Sequence, residues 1–212
     1  MSTGRLVLGA LVALLVFWAI GAYNRLVRLR NAVIAAWAPV DSALRRRQAL
    51  AIELAELLQA AERDVIDADG RAALQAVLAA TRQAQAAAEH VQVRPVHAGA
   101  VHSLGLAEQV LDGALRPLRS LLDARPSLLE EPTRGERVPA LLSALHEADA
   151  QLAFVRRLFN EAVAAFNDAV GEWPTRLIAG AFGFRRAAPW QPPAPERGPD
   201  SVFAPSSFGE RP

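Results

Sequence analysis

The chain has 212 residues, of which 52% are hydrophobic, 21% charged and only 6% aromatic. An alanine- and leucine-rich composition of this kind favours helices over sheet, and a net charge of +1 leaves no nucleic-acid footprint. Lys and Cys are both absent, which excludes disulfides, thiolate metal sites and a cysteine nucleophile.

From Leu6 to Ala22 the run LVLGALVALLVFWAIGA carries no charged side chain. At ~1.5 Å per residue it covers roughly 26 Å, the short end of a transmembrane helix. Trp18 and Tyr23 stand toward its far end, where aromatic side chains prefer the membrane interface. A cleaved signal peptide is the rival reading, with Ala19 and Gly21 as the small residues before the cut. The run exceeds the usual signal core and no helix breaker follows, so an uncleaved anchor is expected. Arg5 precedes the span, and Arg25, Arg28 and Arg30 follow it. The positive-inside bias then puts the N-terminus outside and the remainder in the cytoplasm.

Beyond the span the apolar residues recur at seam spacing. A first helix is predicted from about 5 to 66, with Leu26, Val33, Val40 and Leu54 on one column. Leu29, Ala36, Ala43, Leu50 and Leu57 form the next column. Arg47 interrupts the first column, and Pro39 is a potential kink. Asp67-Ala-Asp-Gly70 reads as a turn. A second helix follows over about 70–92, with Leu74, Val77, Ala84 and Val91 inward. Residues 93–103, with Pro95 and Gly99, read as a loop. A third helix spans about 104–123, and 124–137 is a connector. The fourth helix places Leu141, Leu145, Ala148, Leu152, Val155 and Phe159 on one seam that continues to Trp173, in steps of four and three. Pro174 stops it, and a short amphipathic piece, TRLIAGAFGF (175–184), follows. From Ala187 the chain is Pro-rich and reads as disordered. The expectation is an all-α fold: a membrane anchor (1–23), a long antiparallel four-helix bundle (24–186) continuing from it, and a disordered tail (187–212).

Two patches resemble a known family. YNRLVRLRNAVIAAWAPVDSALRRR (23–47) is similar to the start of the LemA family of membrane-anchored bacterial helical proteins. Tyr23, Asn24, Leu29, Arg30, Asn31 and Trp37 fit its pattern, as do Asp41, Arg46 and Arg47. The second patch is carried by Asn160, Asn167, Pro174, Phe182, Gly183 and Phe184. Phe159 and Phe166 stand where the family usually has Tyr, and QALAIELAEL replaces its usual run after Arg47. The resemblance implies a four-helix domain on a single N-terminal span in the bacterial inner membrane. It brings no catalytic residues and no established molecular function.

Candidate chemistry is sparse. His90, His97 and His102 lie close in sequence beside Glu89, but their spacing does not suit one helix face. Glu53 with Glu56, and Glu108 with Asp112, are helix-face carboxylate pairs. The Glu-x-x-His pairs of di-iron bundles are lacking. Ser103, His102 and Asp112 lack the elbow that a serine triad needs. No catalytic, cofactor-binding or metal residue is therefore assigned. Arg45-Arg46-Arg47 reads as a solvated face with i,i+4 partners. The aromatic-Asn pairs Tyr23-Asn24, Phe159-Asn160 and Phe166-Asn167 are more specific. Helix interiors disfavour Asn, so Asn160 and Asn167 are expected to fix register against Asn24 and Asn31. Trp37 is expected in the same layer.

The expected function is a non-enzymatic membrane scaffold or adaptor. It would hold the bilayer through 6–22, engage unidentified protein partners or a second copy, and need no cofactor and no nucleic acid. Two other readings stand beside it. One is a lipid-binding or remodelling protein using 177–184; the other is a membrane-tethered metal enzyme using the histidine loop.

Overall fold

A computed structural model describes residues 3–60 and 66–191. The protein is all-helical, with no strand among the described residues. Five α-helices follow one another: α1 (Thr3–Gln59), α2 (Ala68–Val93), α3 (Ala98–Ala124), α4 (Pro132–Gly171) and α5 (Thr175–Ala181). A 3₁₀ turn, Pro126–Leu129, links α3 to α4.

α1 runs without a break from the apolar segment into the packed helices, and continues through Pro39. Among the described residues it is the one helix long and apolar enough to cross a membrane. Its apolar segment touches little else: Phe17 is 73% exposed and Leu14 67%. Below Ala22 the pattern changes to a buried stripe of Leu26, Val33, Trp37, Val40 and Leu44, as the column predicts.

The helix ends differ from the sequence expectations for local reasons. Asp67 is not mid-turn; its carboxylate accepts from the Gly70 N–H at 2.8 Å and caps α2. The predicted loop 93–103 shrinks to residues 94–97, because α3 starts at Ala98. α4 starts well before Leu141. Glu131 accepts from the N–H groups of Thr133 and Arg134 at 2.9 and 3.0 Å, and Pro132 supplies a first-turn residue with no N–H to satisfy. α4 ends at Gly171, so Trp173 leaves the predicted seam and is 73% exposed.

One glycine is required by this geometry. A Cβ on Gly135 would sit 2.5 Å from the Leu129 carbonyl oxygen, which is backbone and cannot swing away. Gly135→Ala is expected to lose about 1–3 kcal/mol, or roughly 2–10 °C in thermal midpoint. Gly171→Ala meets only the Arg186 guanidinium, at 2.7 Å, which can move aside. Its midpoint should stay within about 2 °C of wild type in the same melting experiment.

α1 packs against α4 and α2, and α2 against α3. As α1 residues rise through Arg25, Arg47 and Glu53, their ion-pair partners on α4 fall through Glu172, Asp149 and Arg137. The core has two apolar parts. One gathers Leu26 to Leu44 with Leu152 to Val170, and also Ala187 and Trp190. The other gathers Ala51 to Leu58 with Leu74, Leu111, Leu118 and Leu145. Arg47, Gln48 and Glu108 are buried at the boundary between them.

Ala187 and Trp190, read from sequence as the start of a disordered tail, are only 4% and 3% exposed. The ordered part therefore extends at least to Gln191. The disorder expected for 192–212 lies outside the described residues.

Candidate functional site

The end of the protein next to the apolar segment is built from three elements. Tyr23 on α1 meets Phe182 in a tilted contact at 4.9 Å and Phe184 edge-on at 5.8 Å. Phe184 in turn meets Phe166 of α4 at 6.5 Å. The FGF sequence makes this corner. Gly183 has φ +71°, a left-handed conformation that glycine adopts without a Cβ penalty. The Phe184 N–H then reaches the Ala179 carbonyl at 2.9 Å and the Gly183 N–H the Gly180 carbonyl at 3.4 Å, closing α5 as a Schellman cap. The cap turns Phe184 back onto Phe166 and sends the chain along α4.

The segment that follows is held by Asn160 and Asn167, the residues beside the seam phenylalanines. The Asn167 side chain accepts from the Ala187 N–H at 2.8 Å and donates to the Ala187 carbonyl at 2.9 Å. Asn160 does the same for Trp190, at 2.8 and 2.9 Å. A carboxamide is the one short side chain with a donor and an acceptor side by side, so it pairs with one residue as a neighbouring strand would. The spacing also matches. Seven residues of helix rise about 10.5 Å, and three residues of extended chain cover about 9–10 Å. Phe-Asn therefore repeats at seven because its ligand repeats at three.

Trp190 fills the cleft between α3 and α4. Gly105 of α3 faces its indole, where a Cβ would lie 3.6 Å from Nε1. The Arg156 guanidinium of α4 stands 5.6 Å from the ring centroid, a distance that suits a cation–π contact.

The predicted network between Asn160, Asn167, Asn24 and Asn31 is not formed. Asn24 and Asn31 are exposed. Each lies two residues before a buried position, Leu26 and Val33, which turns it about 200° from the core. The asparagines of α4 bind this chain's own backbone instead. Trp37 does share their layer, meeting Phe159 edge-on at 5.9 Å.

The arginine run splits. Arg45 is exposed and pairs with Asp41 at 2.8 Å, as i,i+4 partners should. Arg46 is exposed. Arg47, expected on the solvated face, is only 4% exposed. It keeps its place in the buried column because three carboxylates meet it. Glu108 and Asp149 each lie 2.6 Å from it, and Asp112 also bonds it. Gln48 donates to Glu108 at 3.4 Å. Burial works against the Arg47 charge, but Glu108, Asp112 and Asp149 more than offset it, so its pKa is raised. Burial also pushes the Glu108 carboxyl above the usual carboxylate range, against the pull of Arg47. Both shifts are consistent: three anions share one cation, and the most buried anion is the least compensated.

The remaining candidates do not converge. His90 lies on α2, His97 precedes α3, His102 lies on α3, and all three are exposed, as is Glu89. Among the described residues no group of three or more His, Asp or Glu is gathered as metal ligands. Ser103 donates to the Gly99 carbonyl at 3.0 Å rather than to a histidine. Glu53 pairs with Arg137 at 2.5 Å.

An all-helical protein with one N-terminal apolar helix, and a C-terminal segment clamped along its last long helix, is the class this geometry defines. The chain belongs to the LemA family, whose model matches residues 36–203. That stretch includes both clamp asparagines and the segment they hold. No curated protein matches the chain.

Proposed function

We propose that the protein is a non-enzymatic scaffold anchored in a membrane by Leu6–Ala22, and that it offers residues 192–212 to a protein partner. In this reading the long helices form an antiparallel four-helix bundle. The falling order of α4 partners along α1 supports it. The bundle returns α5 to the membrane surface, where exposed Trp173, Leu177 and Phe182 suit an interface. Arg25, Arg28 and Arg30 favour a cytoplasmic bundle on the bacterial inner membrane, with the N-terminus outside.

The carrying observation is the asparagine clamp. It fixes the root of a Pro-rich stretch by backbone bonds that place no demand on side-chain sequence. Pro-rich segments are pre-extended and suit recognition by aromatic-lined grooves.

A photo-crosslinking residue in place of Phe203, in the full chain in native membranes, tests this. A discrete protein adduct is expected from Phe203, and from Arg82 on the exposed side of α2 none. A chain ending at Gln191 should stay in the membrane pellet and lose the partner. Adducts from Arg82 alone, or a partner retained by the shortened chain, would contradict the reading. A second copy of this chain as the adduct would make the partner a homo-oligomer.

A further inference from the structure

The aromatic corner opens into a groove of about 820 Å³, within the range of small-molecule sites. Tyr23, Val27, Phe166, Phe182 and Phe184 give it an apolar wall. Arg30 of α1, Arg94 from the turn after α2, and Arg185 after the FGF corner converge on it from three elements. His97 also lines it, and no Asp or Glu does. Each of the three arginines is exposed, and none forms an ion pair among the described residues, whereas Arg25 close by is matched by Glu172 at 2.9 Å. Three exposed guanidinium groups around an apolar wall offer an anion charge-assisted hydrogen bonds from three elements.

Position decides which anion. Tyr23 directly follows the apolar run at Ala22, so the foot of the groove lies at headgroup depth if Leu6–Ala22 spans a bilayer. Arg30 stands seven residues, about 10 Å, farther along the helix. The groove thus runs from the membrane surface up to a cluster of phosphate-binding side chains, with aromatic and aliphatic groups between. A small inorganic anion would make no use of that wall.

We propose that this groove binds one anionic phospholipid of the adjoining membrane leaflet. The phosphate lies among Arg30, Arg94 and Arg185, and the glycerol and upper acyl carbons lie against Tyr23, Val27, Phe182 and Phe184. The proposal rests on the membrane seat of α1 and is independent of the scaffold reading. The tail could lack a partner while the lipid site stands, and the reverse.

The test uses the full chain in nanodiscs of phosphatidylcholine with or without phosphatidylglycerol, followed by native mass spectrometry after transfer to detergent. Wild type should retain one phosphatidylglycerol per chain in preference to phosphatidylcholine. Arg30→Gln/Arg94→Gln/Arg185→Gln should lower that retention roughly tenfold or more, with an unchanged helical circular-dichroism spectrum. Arg45→Gln/Arg46→Gln, on exposed residues farther along α1, should retain lipid like wild type. Phe184→Ala should also lower retention, which a purely ionic site would not show. Excess inorganic phosphate should leave the lipid in place. Equal retention by the triple variant would overturn the proposal. So would equal retention of phosphatidylcholine, or full displacement by phosphate, which would mark a free-anion site.

Discussion

Replacing Asn160 and Asn167 together by alanine is expected to free the segment from Arg185 to Gln191 and expose Trp190. The change removes four neutral hydrogen bonds. At about 1 kcal/mol net each, the clamp is worth about 4 kcal/mol. Trypsin reports the release directly, because Arg185 and Arg186 lie at the start of the clamped segment. Cleavage there should accelerate roughly a hundredfold or more under native conditions. Asn160→Asp/Asn167→Asp should behave like the alanine pair despite its similar size, since a carboxylate cannot donate to the Ala187 and Trp190 carbonyls. Unchanged cleavage in both double variants would mean that Trp190 burial alone holds the segment.

The second large effect is expected at Arg47. Arg47→Met leaves Glu108 buried without its cation, and should cost about 3–5 kcal/mol in chemical denaturation. Arg47→Met/Glu108→Leu should recover much of that loss, because an apolar pair of similar volume needs no compensation. Glu108 also sets a pH dependence with a definite sign. Its folded pKa is raised by burial. Its contribution to stability is therefore fully present below the ordinary glutamate range and is lost as pH rises through the folded value. Glu108→Gln should remove that fall. The helix caps act the other way. The backbone N–H of Gly70 holds the Asp67 carboxyl below its ordinary range, and that of Thr133 does so for Glu131. Their contribution is lost on acidification, and Glu108→Gln leaves that limb of the curve intact. A wild type and a Glu108→Gln variant with parallel curves above the ordinary glutamate range would contradict the assignment.

Much of the helical framework is legible in local sequence. The apolar run, the column through Leu26, Val33 and Val40, and the seam through Leu145, Leu152 and Phe159 are periodic signals that need no tertiary information. The misplacements come from partners distant in sequence. Arg47 breaks an apolar column, and a charge there reads as solvated until Glu108, Asp112 and Asp149 arrive from two other helices. Ala187 to Trp190 reads as tail because it opens a Pro-rich stretch with no helical or strand periodicity, and its side-chain hydrogen bonding comes from α4. A signal was present all the same. Two asparagines seven apart beside a seam need amide partners, and a tryptophan in a Pro-rich stretch needs a place to bury its ring. The aromatic corner was legible only in part: the sequence marks 175–184 as a short amphipathic piece, but its contact with Tyr23 follows from the left-handed turn at Gly183.

The most direct measurement is amide hydrogen exchange at Ala187 and Trp190 in the full chain. Both N–H groups point at asparagine oxygens, so both should exchange roughly a hundredfold or more slowly than in an unstructured chain. Protection at Ala187 should fall with Asn167→Ala, and at Trp190 with Asn160→Ala. Exchange of both amides at unstructured-chain rates in wild type would mean that the segment is not clamped, and the proposed presentation of residues 192–212 would lose its support.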